Sequence, residues 1–75
     1  MADLPIFQER AKNLLRAELK RHGWGYKQLA EALTAMGVAE TDRNLANKIS
    51  RGSFTAAFLL ECLSAIGCKE VRLSD

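Results

Sequence analysis

Trp24 to Gly67 reads WGYKQLAEALTAMGVAETDRNLANKISRGSFTAAFLLECLSAIG. Three short segments of helix-forming residues lie in it, and each closes on a glycine: Gly37, Gly52 and Gly67. Glycine takes up the left-handed conformation that ends a helix without steric cost, so the spacing of these three residues predicts three short helices. In the first, Leu29, Ala30, Leu33 and Met36 recur at helical spacing, while Lys27, Gln28 and Glu31 face out. In the second, Leu45, Ala46 and Ile49 point inward and leave Asn44, Asn47, Lys48 and Arg51 outside, with Arg43 at the leading end. In the third, Phe58, Leu59, Cys62, Leu63 and Ile66 form the inward face. Thr41 and Thr55 stand where an N-cap hydroxyl is needed. Phe54 before Thr55 and Leu59 four residues after it make a hydrophobic staple.

Upstream, Phe7, Ala11, Leu14, Leu15 and Leu19 fall on one face of a longer helix that ends at His22 and Gly23. Asp3 lies ahead of Pro5, a residue suited to the first turn. Lys12, Arg16 and Lys20 form an i, i+4, i+8 line elsewhere on this helix, either a solvated face or a flank that touches phosphates. Trp24, between two glycines, is expected to anchor the turn in the core; a stacking platform for a base is the alternative. The helices are expected at about residues 5–21, 26–36, 42–51 and 56–66. The tail CKEVRLSD, residues 68–75, alternates weakly through Val71 and Leu73. It reads as a short strand, a half-turn of helix packed on the first helix, or a dimer contact.

Seventy-five residues, 48% of them apolar, make one small domain with one core and no room for a deep substrate pocket. A single proline and no long run of alternating β-branched residues point to an all-α domain. The expected architecture is a compact four- to five-helix bundle. The net charge of +2 is modest, but its distribution is uneven. Residues 1–22 hold five bases against three acids and residues 41–52 three against one, whereas 23–40 and 53–75 are each net −1. Cys62, Cys68 and the lone His22 form neither a disulfide framework nor a zinc spacing. No stretch nears the ~20 apolar residues of a membrane span, and MADLPIFQER has no apolar signal core. A cytoplasmic protein without cofactor, metal or membrane partner is therefore expected. One histidine at a helix end supports no Ser/His/Asp or Cys/His arrangement, and isolated glycines make no phosphate-cradling loop, so no enzyme and no small-molecule substrate are expected.

The chemistry that remains lies on the middle helix. Arg, Lys and Asn are the side chains that bond phosphates and base edges, and a short helix fits the major groove. Asparagine is a poor helix former, so Asn44 and Asn47 on an exposed face call for a reason, and hydrogen bonding to a partner supplies one.

From Leu14 onward the order of parts resembles the phage-repressor-like helix-turn-helix family. The matching residues are Trp24, Leu29-Ala30, Ile49, Arg51-Gly52, Thr55 and the LLECLSAIG run, over about 50 residues. The position of the family's turn glycine is Thr34 here, and the glycine comes three residues later at Gly37. Three residues are nearly one helical turn, so an extended helix-turn-helix is expected, with either the second helix or the turn lengthened. The chain also resembles a family of small uncharacterised bacterial domains sharing a Leu-Ala, asparagine-rich, Arg-Gly-x-Phe pattern, a resemblance that assigns no activity.

The repressor-like resemblance implies double-stranded DNA as partner and a small transcriptional regulator as role. By position, Arg43, Asn44, Asn47 and Lys48 would contact bases, while Tyr26, Lys27, Gln28 and Arg51 would hold the backbone. One domain reads few bases, so a homodimer on two half-sites is implied. The alternative is a protein–protein interaction module on the same scaffold without DNA binding, motivated by the modest charge and by Glu40 and Asp42 near the leading end of the middle helix.

Overall fold

Leu15, Leu29, Leu33, Leu45, Ile49 and Cys62 are fully buried, and each of four helices contributes at least one of them. In the structure, a computed structural model that describes residues 5–73, these helices are α1 (Pro5–Arg21), α2 (Tyr26–Ala35), α3 (Asp42–Arg51) and α4 (Ala56–Ile66). Among the described residues there is no strand. The protein is an all-α bundle in which α2 packs on α3 and α4, and α1 packs on the same two helices from the other side. Asp3 and the last two residues of the tail lie outside the described residues.

The helix ends follow from backbone chemistry. Thr41 and Thr55 sit in extended conformation, and their hydroxyls accept from Asn44 N at 3.1 Å and Phe58 N at 3.0 Å. Each such cap contributes about 1 kcal/mol. At the other ends, α1, α2 and α4 close in the same way. The residue after the glycine donates five residues back, Trp24 N to Leu19 O, Val38 N to Leu33 O and Cys68 N to Leu63 O, each at 2.9 Å. Trp24, Val38 and Cys68 all pack against the core, so each helix stop also folds the chain back onto the bundle. Trp24 therefore has the anchoring place expected of it.

Helix α3 ends differently. Gly52 takes φ +70° and is buried, with the backbone of Gln8 on α1 lying against it. A Cβ at this position would sit 2.4 Å from the Gln8 carbonyl oxygen, whereas at Gly23, Gly37 and Gly67 it would meet nothing within 4 Å. The absent side chain lets the start of α1 cross the end of α3.

Several expectations change at the edges of the bundle. Helix α2 continues through Thr34 to Ala35; Met36 caps it and is 49% exposed rather than part of the buried stripe. Phe7, placed on the apolar face of α1, is 56% exposed, because it lies about a quarter-turn round the helix from the buried Leu15 and Leu19. Among the described residues no fifth helix follows Gly67. Residues 68–73 have no regular structure, and Arg10 of α1 donates to the Leu73 carbonyl at 2.6 Å.

Candidate nucleic-acid interface

The rotation of α3 is fixed by Leu45 and Ile49, both at zero exposure. At about 100° per residue, the surface opposite them holds Arg43, Asn47, Ser50 and Arg51, with Asn44 on one shoulder. All five are exposed. Backbone chemistry orders the leading end: Asp42 Oδ1 accepts from Arg43 N at 2.9 Å, and Asp42 in the first turn suits the helix dipole. At the trailing end, Lys48 and Arg51 lie in the last turn, where positive charge is favoured.

Lys48 is held elsewhere than on the open face. It lies on the flank of α3 nearer the core, and its Nζ is 2.5 Å from Glu40 Oε2 and 5.0 Å from the centroid of the Phe58 ring. The Glu40 side chain is only 5% exposed, against 48% for Lys48. Glu40, read in the sequence as an acid near the leading end of α3, lies in the connection between α2 and α3, and Lys48 neutralises it there. Lys48 thus joins that connection to α3 and α4. Phe58 packs in turn on Phe54, with ring centroids 5.5 Å apart at 52°.

At the start of α2, the expected backbone-contacting residues are partly engaged already. Tyr26 is half-buried and its hydroxyl accepts from Arg16 Nε at 3.3 Å. Gln28 Oε1 accepts from Gly25 N at 2.9 Å, closing a capping arrangement at the helix start. The Tyr26 O–H and the Gln28 amide N–H groups remain as donors. Lys27 is exposed and shares a cleft of about 540 Å³ with Asp42, which brings the start of α2 beside the leading end of α3. Arg16 is the addition to this set. The Lys12–Arg16–Lys20 line was its sequence signal, but only Arg16 of the three touches Tyr26; Lys12 pairs with Glu9 at 2.7 Å.

His22 Nδ1 lies 3.0 Å from the Glu18 carbonyl oxygen, at the end of α1. Among the described residues no three His, Cys, Asp or Glu side chains gather as metal ligands, and no helix is long and apolar enough to cross a membrane. Burial, and next the Glu61 and Glu40 carboxylates, push the Cys62 thiol up to about 12 from its ordinary 9.0. The raised value means the folded state keeps this proton longer than the unfolded chain does. Its contribution is fully present below about pH 9 and is lost as pH climbs from there toward about 12. Cys62 should accordingly resist a thiol reagent at pH 8 and be modified only once urea unfolds the chain, as counted by mass spectrometry. Labelling of Cys62 in the native protein would contradict its burial.

A small all-α bundle with an exposed, donor-rich helix is the class these features define. Residues 7–71 match the model of a family described as a domain of unknown function, DUF6471. The chain belongs to that family, in line with its resemblance to small uncharacterised domains. Comparison with curated proteins found no match, and neither did comparison with solved structures.

Proposed function

We propose that this protein binds double-stranded DNA as a small transcriptional regulator, with α2 and α3 acting as an extended helix-turn-helix of phage-repressor type and α3 entering the major groove. The observation that carries this reading is the composition of the α3 face opposite Leu45 and Ile49, where Arg43, Asn44, Asn47 and Arg51 are all exposed. Asparagine bonds adenine N6 and N7 together, and arginine bonds guanine O6 and N7 in the same two-point way. Arg43 and Asn47, four residues apart, present both chemistries on one line of the helix. Glu40 is paired with Lys48, which leaves Asp42 as the exposed acid at the leading end of α3. Lys27, Arg16 and Arg51 are the cations suited to hold the backbone. Lys48 is assigned to the scaffold instead.

The test uses a duplex selected for binding. Asn47→Ala and Arg43→Ala should each weaken binding about 5- to 150-fold and relax preference at one base position, as ~1–3 kcal/mol per two-point contact requires. Arg51→Ala should weaken all sequences alike and lower the salt slope by about one. Normal binding by both Asn47→Ala and Arg43→Ala, with folding unchanged by circular dichroism, would remove α3 as the reading helix and favour a protein-interaction module.

A further inference from the structure

Ser50 completes a stripe on the outer surface of α3. It is exposed, as are Arg43 and Asn47, and it stands three residues beyond Asn47, itself four beyond Arg43. At about 100° per residue, positions i, i+4 and i+7 fall within about 60° of one another around a helix. At about 1.5 Å per residue they span about 10 Å along its axis, close to three base-pair steps of about 3.4 Å. With Lys48 drawn aside to Glu40 at 2.5 Å, the trailing half of this stripe is left to Ser50.

The three side chains differ in what they can offer a partner. Arginine presents donors only, and the asparagine amide presents donors and an acceptor. Ser50 is constrained by a bond inside the helix: its Oγ donates to the Asn47 carbonyl oxygen at 3.1 Å. A hydroxyl has one proton and two acceptor lone pairs. With its proton committed to Asn47, Ser50 presents acceptors alone. A phosphate oxygen is an acceptor too, so this hydroxyl has nothing to gain from the DNA backbone. On the base edges of the major groove, guanine N7 and O6 and thymine O4 are likewise acceptors. The donors there are the amino groups of adenine N6 and cytosine N4.

We infer that Ser50 is a specificity-determining residue of α3, accepting a hydrogen bond from the amino group of an adenine or a cytosine about one base-pair step beyond the base that Asn47 contacts. The inference rests on the DNA-binding reading and deepens it by naming a class of duplex. In the order Arg43, Asn47, Ser50, that duplex offers a guanine, an adenine and then an amino-bearing base. A guanine or thymine in the third place sets acceptor against acceptor. Turning the Ser50 proton outward to meet it gives up the bond to Asn47, so the wrong base loses a contact either way.

Selection from a random duplex library by the wild type and by Ser50→Ala, at the same salt concentration, tests it. Alanine is the better helix former, so α3 is not put at risk, and circular dichroism checks this. The wild type should enrich adenine or cytosine at one position beside the adenine that depends on Asn47. In Ser50→Ala that preference should vanish while the others stay. The selected duplex is then made with purine in place of that adenine, or pyrimidin-2-one in place of that cytosine, which removes only the amino group. This should weaken the wild type about 2- to 10-fold more than it weakens Ser50→Ala, the size of one hydrogen bond. The same motif from both proteins overturns the inference, as does a guanine or thymine at the position that depends on Ser50; either result leaves α3 as the reading helix. An equal loss of affinity for all sequences in Ser50→Ala also overturns it, because the hydroxyl then serves only the last turn of α3. A wild type that enriches no motif overturns the DNA-binding reading itself, and this inference with it.

Discussion

Gly52→Ala is expected to cost about 3 kcal/mol or more and to lower Tm by well over about 10 °C, or to leave the chain unfolded. Two penalties add. At φ +70° an alanine is strained by about 1–2 kcal/mol. Its Cβ would also be driven to 2.4 Å from the Gln8 carbonyl oxygen, which is backbone and cannot rotate away. The start of α1 would have to lift off α3, and overpacking of this kind costs about 1–3 kcal/mol. A domain of this size has only about 4–11 kcal/mol in total. Gly37→Ala is the control: φ is +93° there, but nothing lies within 4 Å of the new methyl, so only the strain remains. Urea unfolding of both variants measures the difference directly. Equal losses would mean that α1 does not cross α3 at Gly52.

The second large effect is expected at Lys48. Lys48→Met keeps most of the aliphatic stem against Phe58 but removes the charge that neutralises Glu40. A carboxylate on a side chain only 5% exposed then has no cation. Breaking a buried pair from one side costs about 3–5 kcal/mol; Lys48 is itself half-exposed and screened by water, which lowers the expectation to about 2–3 kcal/mol. The double variant Glu40→Gln, Lys48→Met should recover much of the loss, since no uncompensated charge is left inside. If Lys48→Met loses less than about 0.5 kcal/mol, Glu40 is reaching solvent and the latch at the α2–α3 connection is not formed. The effect also bears on function. A Lys48 variant that fails to bind DNA would report a loosened α3 as readily as a lost contact, which is why Asn47 and Arg43 are the informative positions.

The helices were legible in the sequence because their ends are written in local chemistry. Thr41 and Thr55 cap, glycines stop, and Trp24, Val38 and Cys68 fold back after them, all within a few residues. The inward faces of α3 and α4 were legible for the same reason: Leu45, Ile49, Phe58, Cys62 and Ile66 repeat at the helical period and are buried. Periodicity gives the direction of a side chain but not what it meets. Met36 has the right phase yet follows the last turn of α2 and stays exposed, whereas Phe7 lies about a quarter-turn round α1 from Leu15 and Leu19 and is exposed on that flank. Glu40 lies in a connection where no period applies, so its union with Lys48, eight residues on, left no local signal. Glu18 did leave one. It stands three residues after Leu15 and four after Leu14, an acid within an apolar stripe, and it is buried. In the candidate interface, the outward set Arg43, Asn44, Asn47 and Arg51 followed from phase alone. Lys48 did not, because a residue on the flank of a helix goes to whichever neighbour attracts it.

Selection of the protein on a random-sequence duplex library at two salt concentrations, followed by sequencing, tests the central claim most directly. The account predicts an enriched motif of a few base pairs that includes adenine and guanine positions, repeated with two-fold symmetry, and bound less tightly at the higher salt. No binding even at low salt would contradict it, and binding that falls steeply with salt but enriches no sequence would contradict base reading by α3.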